Sequence, residues 1–411
     1  MQNPPAAQPG GQNFKCPQCG GGMFFDAASQ ALKCQYCNHT MQQPAIQMQG
    51  GGAPPPGLAV GPREIPLSEG LARAPKGLGT QMQSIQCKDC GATVNLAPNE
   101  QTVACTYCAS HTVIAVASDP NLIMPESLVP FQITKEQAKA KFKEWLGGLW
   151  FRPNNLKKAS ELDQMHGVYV PYWTFDSHVY SQWQADRGWY YYETESYEAI
   201  ENGQTVWRTR EVQRVRWEPA WGTRQDFYDD VLVCGSKGLP TGLADQMTSF
   251  NTQSLVLYNP SYLAGWRAES YAVDLQAAWP FAQQKIDSQQ VSKCAGDIGG
   301  DTHQNLHVQN QYTGQTFKHV LLPVFVAAYR YQNKPYQLLV NGQTGEVVGK
   351  APYSVWKILA LILVIVGIAV AGYLIWASQN GDSSRRMLRG GDSPAAIEAV
   401  VRGADESAGY V

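Results

Sequence analysis

Eight of the ten cysteines form four Cys-x-x-Cys pairs, which fall into two units of identical spacing. The first unit holds Cys16, Cys19, Cys34 and Cys37, and the second holds Cys87, Cys90, Cys105 and Cys108. In each unit 14 residues separate the inner cysteines. A two-residue gap lets one tight turn present two thiolates to one ion, and four thiolates complete the tetrahedral shell that zinc prefers. The sequence therefore predicts two zinc ions, one in each unit.

Redox dithiols and disulfides are the alternative interpretation of these cysteines. Ten cysteines in 411 residues are too sparse for a disulfide scaffold, and the N-terminal stretch lacks the apolar segment of a signal peptide. His39 and His111 follow the last pairs. Because four thiolates already complete each site, we expect neither histidine to be a ligand.

The residues around the cysteine pairs favour tight metal-binding turns. Gly20 and Gly91 follow the first pair of each unit, where a positive φ turns backbone amides towards sulfur. Asn38 tolerates the same conformation after the second pair of unit 1, whereas Ala109 fits it less well. The apolar residues between the pairs suit a hairpin with a very small core, which a metal must hold folded.

This pattern resembles the zinc ribbon at the N-terminus of the eukaryotic and archaeal general transcription factor B. The resemblance implies a metal site and a ribbon fold but no particular function. The charged residues of ribbon 1 are Lys15, Lys33 and Asp26, and ribbon 2 has Lys88, Asp89 and Glu100. Neither ribbon has the basic face that phosphate neutralisation requires. We therefore expect the ribbons to bind proteins, and nucleic acid is disfavoured as a partner.

An apolar run near the C-terminus has the length of a membrane span. Residues 358–377 contain twenty residues without a charge, about 30 Å of helix. Aromatic residues flank both ends of the run, as at a membrane interface. A buried core helix is the alternative. Because thiolate zinc sites persist best in a reducing compartment, we expect a single-pass protein of the bacterial cell membrane with residues 1–352 in the cytoplasm. The distribution of Lys and Arg around the run does not decide the orientation.

Composition divides the rest of the chain into regions. Gly and Pro are frequent between the two ribbons, which predicts a flexible tether that lets ribbon 1 explore roughly 35–40 Å. The predicted regions are a disordered start (1–12), ribbon 1 (13–41), a Gly/Pro/Gln-rich linker (42–83), ribbon 2 (84–118), a central domain (125–352), a transmembrane helix (357–377) and a disordered tail (378–411).

The central domain is predicted to be α+β with an antiparallel sheet. Residues 134–149 begin with Thr134, and Gln137 stands at the third position of a capping box, so this segment is predicted to be a helix. A second helix is expected over 277–291. Alternating and β-branched residues predict strands from Val168, over 207–217 and over 321–331, and a closing hairpin over 336–349.

The whole arrangement resembles a poorly characterised bacterial family of membrane-anchored proteins with two zinc ribbons. The residues that carry the resemblance are the ribbons, Val170-Pro171-Tyr172-Trp173, Trp217 to Gly222, Leu322-Pro323 and Asn341 to Gly345. Family members are often called primosomal-helicase-like, but this chain has no G-x-x-x-x-G-K-[ST] loop to hold ATP phosphates. The resemblance implies an association with membrane-stress systems and flotillin-like scaffolds.

No residue pattern predicts catalysis. His303 and His307 are four residues apart, but Gln304 follows the first histidine where a zinc protease needs Glu. Cys234 and Cys294 stand alone in the sequence and suit small buried positions. We therefore expect the protein not to be an enzyme.

Four arginines are expected on one face of a strand. Strand alternation places Arg208, Arg210, Arg214 and Arg216 on the same side. One interpretation is an anion site for lipid headgroups or for an acidic partner. The other is a solvent-exposed sheet face on which nearby acidic residues pair with the arginines.

Two functions from different classes follow from these patterns. The first is a membrane-anchored adaptor or scaffold that binds cytosolic or membrane proteins through its ribbons and central domain. The second is a membrane-tethered regulator that binds nucleic acid through the ribbons. The near-neutral formal charge of −2 favours the first, because nucleic-acid binding usually requires a basic excess.

Overall fold

The computed structural model describes most of the chain, in twelve segments. They are residues 14–42, 64–76, 83–96, 104–117, 119, 121–148, 150–152, 165–201, 203–247, 249–331, 334–349 and 353–388. The chain divides into two units: Met1–Gly148 with Lys158–Ala351, and Leu149–Lys157 with Pro352–Val411. The start that was predicted to be disordered, 1–12, lies outside the described residues.

Ribbon 1 is a small antiparallel sheet of three strands. These are β1 (Met23–Asp26), β2 (Ala31–Cys34) and β3 (Thr40–Met41), with β2 in the centre. Phe25 and Leu32 pair across β1 and β2, and both are fully buried. The hairpin and its very small core agree with the sequence prediction.

The segment before ribbon 2 corrects the prediction of a flexible tether over 42–83. Within that stretch, residues 64–76 form β4 (Ile65–Pro66), a 3-10 turn (Leu67–Glu69) and the short helix α1 (Gly70–Arg73). Ile65 and Leu67 pack against the central core. Gly70 lies so close to Phe317 that an added Cβ would be 2.3 Å from its ring. Apolar side chains between the Gly and Pro residues therefore fix this part of the chain to the central sheet.

Ribbon 2 is part of the large central sheet. Its strands are β5 (Gln83–Cys87), β6 (Thr93–Leu96) and β7 (Val113–Val116). The following elements are β8 (Ser127–Leu128), α2 (Lys135–Gly148), β9 (His166–Glu201), β10 (Gln204–Cys234), α3 (Thr241–Ala244), β11 (Val256–Leu257), β12 (Arg267–Ser270), α4 (Leu275–Asp297), β13 (Thr302–Tyr331), β14 (Lys334–Asn341) and β15 (Val347–Gly349). The strands from β5 onwards form a 12-stranded sheet together with β4. Eight of them lie in the order β11-β8-β13-β9-β12-β6-β5-β7, and β10, β14, β15 and β4 complete the sheet by pairing beside this path.

Most neighbouring strands of this sheet run antiparallel, which confirms the α+β class. The exceptions among the described pairs are β12 with β9 and β8 with β13, which are parallel. Ribbon 2 joins the central strands where β6 pairs with β12, at Asn95 opposite Ala268. The buried core runs through this junction, because Cys87 and Tyr107 belong to the same apolar cluster as Val168 and Leu322.

The two predicted helices are confirmed, and their caps explain their start points. In α2 the Thr134 N–H donates to Gln137 Oε1 at 2.8 Å, and the Gln137 N–H donates to Thr134 Oγ1 at 3.3 Å. In α4 the Asp274 carboxylate accepts from the Ala277 N–H at 2.8 Å. One face of α4 packs on the sheet, with Ala278 and Ile286 fully buried.

A long hairpin projects beyond the three-stranded part of the sheet. Strand β13 pairs with β9 as far as Thr302 opposite Gly188. From there β9 and β10 continue as two strands to Glu201 opposite Gln204. We call residues 189–217 the hairpin arm. Among the described residues of the arm, every side chain is exposed or half-buried.

The described part of the second unit contains the long apolar helix α5 (Val355–Leu388). Its first 22 residues, Val355–Trp376, contain an 18-residue window with a mean hydropathy of 3.0 and no buried residue. The 22 residues give about 33 Å, enough to cross a bilayer. The Ser354 N–H donates to the Phe151 carbonyl at 2.6 Å just before the helix. The predicted disordered tail needs correction, because the helix continues through 378–388. Residues 389–411 lie outside the described residues.

Candidate metal centres

The eight paired cysteines converge into two compact clusters. In each cluster the four Sγ atoms lie within 4.8 Å of one another. In ribbon 1 the Sγ atoms of Cys16 and Cys37 are 3.5 Å apart, and those of Cys19 and Cys34 are 3.4 Å apart. In ribbon 2 Cys87–Cys108 and Cys90–Cys105 are both 3.6 Å apart. Zinc–sulfur bonds of about 2.3 Å in a tetrahedron require sulfur separations of roughly 3.8 Å, so both clusters fit a zinc ion.

The turns that present the cysteines have the predicted backbone conformation. Gly20 and Gly91 have φ of 71° and 77°, and Asn38 and Ala109 have φ of 57° and 54°. The left-handed conformation therefore occurs after both pairs of each ribbon, even where the residue is alanine. Ala109 is strained in this region, because its Cβ approaches the backbone closely.

One cysteine in each ribbon has a lowered pKa, whereas the pKa values of Cys37 and Cys108 are raised. The N–H groups of Cys37 and Tyr36 lower the pKa of Cys34 to about 6. In ribbon 2 the thiol of Cys90 and the N–H of Cys108 lower the pKa of Cys105 to about 5. The hydrogen bond with Cys105 in turn raises the pKa of Cys90. Each of these protons lies between two neighbouring sulfur atoms and offsets their negative charge. A divalent cation at the centre of the cluster would replace the protons in this role.

The histidines beside the ribbons are not part of either cluster. Among the described residues, each four-ligand group within 4.8 Å consists of cysteines alone. His39 contributes its backbone carbonyl, which accepts from the Cys34 N–H at 2.9 Å. His39 and His111 therefore lie outside the two cysteine clusters.

Ribbon 1 attaches through β1 and the turn after it to loop residues beside the central sheet, and it exposes its metal end. The Phe25 N–H donates to the Ala264 carbonyl at 2.9 Å, and Trp266 Nε1 donates to the Phe25 carbonyl at 2.9 Å. Gln30 Nε2 also donates to the Phe131 carbonyl at 2.7 Å. The expectation of a freely exploring ribbon 1 is therefore wrong. Its metal end faces solvent, because Cys19 and Cys37 are exposed.

Ribbon 2 has the opposite orientation and buries its metal end in the central fold. Tyr107 lies between Cys105 and Cys108 and is completely buried. Its hydroxyl donates to Glu269 Oε2 at 2.6 Å, and its carbonyl accepts from Gln337 Nε2 at 2.6 Å. Ser236 Oγ donates to the other Glu269 oxygen at 2.7 Å. Burial raises the pKa of Glu269 to about 7. The sequence offered no signal for this contact, because Tyr107 and Glu269 are 162 residues apart.

The four arginines predicted to share a face do share it, on the hairpin arm. In the pairing with β9, Arg208 lies opposite Tyr197, Arg210 opposite Glu195, Arg214 opposite Tyr191 and Arg216 opposite Trp189.

Glutamates of β9 pair with three of these arginines. Arg208 pairs with Glu201, and Arg214 pairs with both Glu193 and Glu195. Arg210 lies 3.3 Å from Glu195 and over the Tyr197 ring. These contacts support the interpretation of a solvent-exposed face with internal ion pairs over that of an anion site.

The remaining candidate residues do not form a catalytic group. His303 and His307 lie opposite Arg187 and Gln184, so an irregularity in β13 places them on opposite faces of the sheet. Cys234 is half-buried, and burial raises its pKa to about 12. Cys294 is buried, and desolvation raises its pKa too. Both thiols are therefore protonated at neutral pH, when they are poor nucleophiles.

Two further features were not evident in the sequence. Glu64, Asp176 and Asp229 cluster within 4.8 Å, and the buried ammonium of Lys318 lies 3.4 Å from Glu64 and 3.7 Å from Asp176, where it offsets part of their negative charge. A cavity of about 750 Å³ lies between Cys234 and α4. At its edge Lys285 and Asp245 form a 2.7 Å ion pair. Both features join residues far apart in the chain.

The fold and the clusters define an α+β protein that has, within the residues the structure describes, two four-cysteine sites of the zinc-ribbon type and one apolar helix long enough to cross a membrane. The chain is similar to the uncharacterised protein YdjG of Bacillus subtilis (strain 168), with 27% identity over 359 residues. The alignment covers 86% of this chain and 94% of YdjG. No protein-family model matches the chain, and no solved structure matches it.

Proposed function

We propose that the protein is a membrane-anchored adaptor that binds other proteins at the cytosolic face of a bacterial cell membrane and has no catalytic activity. The observation that carries the proposal is the opposite orientation of the two ribbons. Ribbon 2 is built into the central core, whereas ribbon 1 presents its metal end to solvent. A rigid, metal-stabilised loop held outwards by a large sheet is suited to recognition.

The charge distribution supports proteins as the partners of the ribbons. Ribbon 1 has only two lysines and one aspartate. Phosphate contacts need several cations, and the arm arginines are largely paired with glutamates. The arm also exposes Trp207, Trp217 and Tyr192, residue types that are enriched at protein interfaces.

The proposed adaptor contains zinc and is anchored in the membrane. Two structural zinc ions hold the ribbons, and α5 anchors the chain once through the bilayer. Thiolate sites persist in a reducing environment, so residues 1–352 lie on the cytoplasmic side. Protease added to intact spheroplasts should then leave residues 1–352 uncut. Digestion of that region would contradict the orientation.

Co-purification from mildly solubilised membranes tests the proposal. The full chain should retain specific proteins after nuclease treatment, and the Cys34→Ser variant should lose those that depend on ribbon 1. The alternative function, regulation through nucleic acid, predicts that nuclease removes the bound material. It also predicts DNA or RNA affinity that falls steeply with salt. Either of these results would replace the adaptor proposal.

A further inference from the structure

Tyr36 and Tyr107 hold the same position in the two ribbons. Each stands two residues after the third cysteine of its cluster. The Tyr36 N–H lies 3.5 Å from Cys34 Sγ, and the Tyr107 N–H lies 3.4 Å from Cys105 Sγ. The two loops are therefore built alike around their metal sites.

The surroundings of the two tyrosines differ completely. Tyr107 is 0% exposed, and Tyr36 is 76% exposed. The Tyr36 ring lies over Gly21 of its own ribbon, where an added Cβ would be 2.4 Å from the ring. Ribbon 2 has Ala92 at that position, and Ala92 is buried. The outer side of Tyr36 is left to solvent.

The contacts of Tyr107 show what this loop recognises within the chain. The carboxylate of Glu269 accepts from the Tyr107 hydroxyl. Gly238 lies against the ring, and an added Cβ there would be 2.7 Å from Tyr107 Cδ2. Ser236 Oγ links Glu269 to the turn at Gly238, since it donates to Glu269 and accepts from the Gly238 N–H at 2.9 Å. The binding surface is thus an acidic side chain beside a glycine-containing turn.

We infer that Tyr36 and the metal end of ribbon 1 bind a partner protein that presents an acidic side chain beside a glycine, as Glu269 and Gly238 do for ribbon 2. The inference rests on the proposed adaptor function. Gln35 occupies the place of Thr106, which is buried and accepts from Arg267 at 2.5 Å. Gln35 is exposed and offers an amide to the backbone of the partner. The carboxylate supplies a charge-assisted hydrogen bond, and the glycine lets its backbone approach the ring.

Photo-crosslinking in living cells tests the inference on the full chain. In one variant benzoylphenylalanine replaces Tyr36. In the matched control it replaces Ser29, an exposed residue in the turn between β1 and β2. We expect position 36 alone to crosslink a protein, at a peptide with Asp or Glu close to a glycine. Crosslinks from position 36 only to lipid or to nucleic acid would overturn the inference.

A second measurement separates this inference from the adaptor proposal. Tyr36→Phe keeps the ring and removes the hydroxyl, so affinity for the crosslinked protein should fall about tenfold or more. Proteins that co-purify equally with wild type and Tyr36→Phe, without a crosslink at 36, would overturn the inference and leave the adaptor function standing. Recovery of no protein by the wild-type chain would overturn both.

Discussion

Tyr36 and Tyr107 occupy the same place in two copies of one metal-binding loop, yet Tyr36 is 76% exposed and Tyr107 is completely buried. The difference arises from what surrounds each loop. Glu269, Gly238 and Gln337 enclose Tyr107, whereas ribbon 1 contacts loop residues of the central domain through Phe25 and Gln30. One copy of the duplicated module is therefore a structural part of the core, and the other displays its metal end.

Removal of the Tyr107 hydroxyl should destabilise the central fold. Tyr107→Phe leaves Glu269 Oε2 without its 2.6 Å donor in a completely buried position. We expect a loss of about 1–3 kcal/mol in the free energy of unfolding, measured by denaturant titration of the full chain in detergent. Tyr36→Phe is the matched control and should change the stability by less than about 0.5 kcal/mol. Equal effects of the two substitutions would contradict the asymmetry of the ribbons.

Glycine in place of Ala109 should stabilise ribbon 2. Ala109 has a φ of 54°, which costs an alanine roughly 1 kcal/mol and a glycine almost nothing. Ala109→Gly should therefore raise the free energy of unfolding by about 0.5–1 kcal/mol. Ala115→Gly, in the extended strand β7, should lower the free energy of unfolding because glycine weakens a strand. Thermal unfolding of both variants checks the prediction, which a destabilising Ala109→Gly would refute.

Stability should fall on acidification because of a buried histidine. His319 is 4% exposed, and desolvation lowers its pKa to about 4 from an ordinary value of 6.5. Between these values the unfolded chain binds the proton and the folded chain does not, so stability decreases as the pH falls through this window. From pH 8 to pH 5 the loss from this residue is about 2 kcal/mol.

An asparagine at position 319 should remove that part of the pH dependence. His319 Nδ1 lies 2.8 Å from the Ile123 carbonyl and donates to it, and the amide of His319→Asn is able to do the same. Unfolding curves of wild type and variant at pH 8, 6 and 5 provide the measurement. Metal loss in acid affects both proteins alike. The difference between their free energies of unfolding at each pH therefore measures the contribution of His319. Parallel curves for the two proteins would show that His319 does not titrate in this range.

The helix over Val355–Trp376 should anchor the chain in membranes. The full chain should stay with the membrane pellet in alkaline carbonate, and a chain cut before Ser354 should be soluble. Arginine at both Leu363 and Ile365 costs roughly 5–7 kcal/mol at the centre of a span, so this variant should be released. Carbonate extraction of the wild-type chain would instead indicate a buried helix.

Local patterns in the sequence allowed much of the fold to be predicted. The spacing of Cys16, Cys19 and their equivalents predicted both clusters, because ligand geometry within a turn is set by neighbouring residues. Thr134 and Gln137 likewise marked the start of α2 through a contact over three residues. The apolar run predicted the candidate span on length and composition alone.

Features that depend on contacts between residues far apart in the chain could not be predicted from the sequence. The pairing of Asn95 with Ala268, which merges ribbon 2 with the central sheet, joins segments that share no pattern. The burial of Tyr107 depends on Glu269, and the position of ribbon 1 depends on Trp266. Sequence alone therefore presented the two ribbons as equivalent, because their cysteine spacing is identical.

The central claim is that ribbon 2 is part of the core whereas ribbon 1 displays its metal end. It is tested most directly by comparing one cysteine variant of each ribbon, in the full chain purified without added metal. Wild type should contain about two zinc ions, and Cys34→Ser and Cys105→Ser should each retain about one. Cys34→Ser should cost the central fold about 1 kcal/mol, because its site faces solvent. Cys105→Ser should cost about 3 kcal/mol or more, because that site is part of the core. Equal destabilisation by the two variants, or two zinc ions retained in Cys34→Ser, would contradict the account.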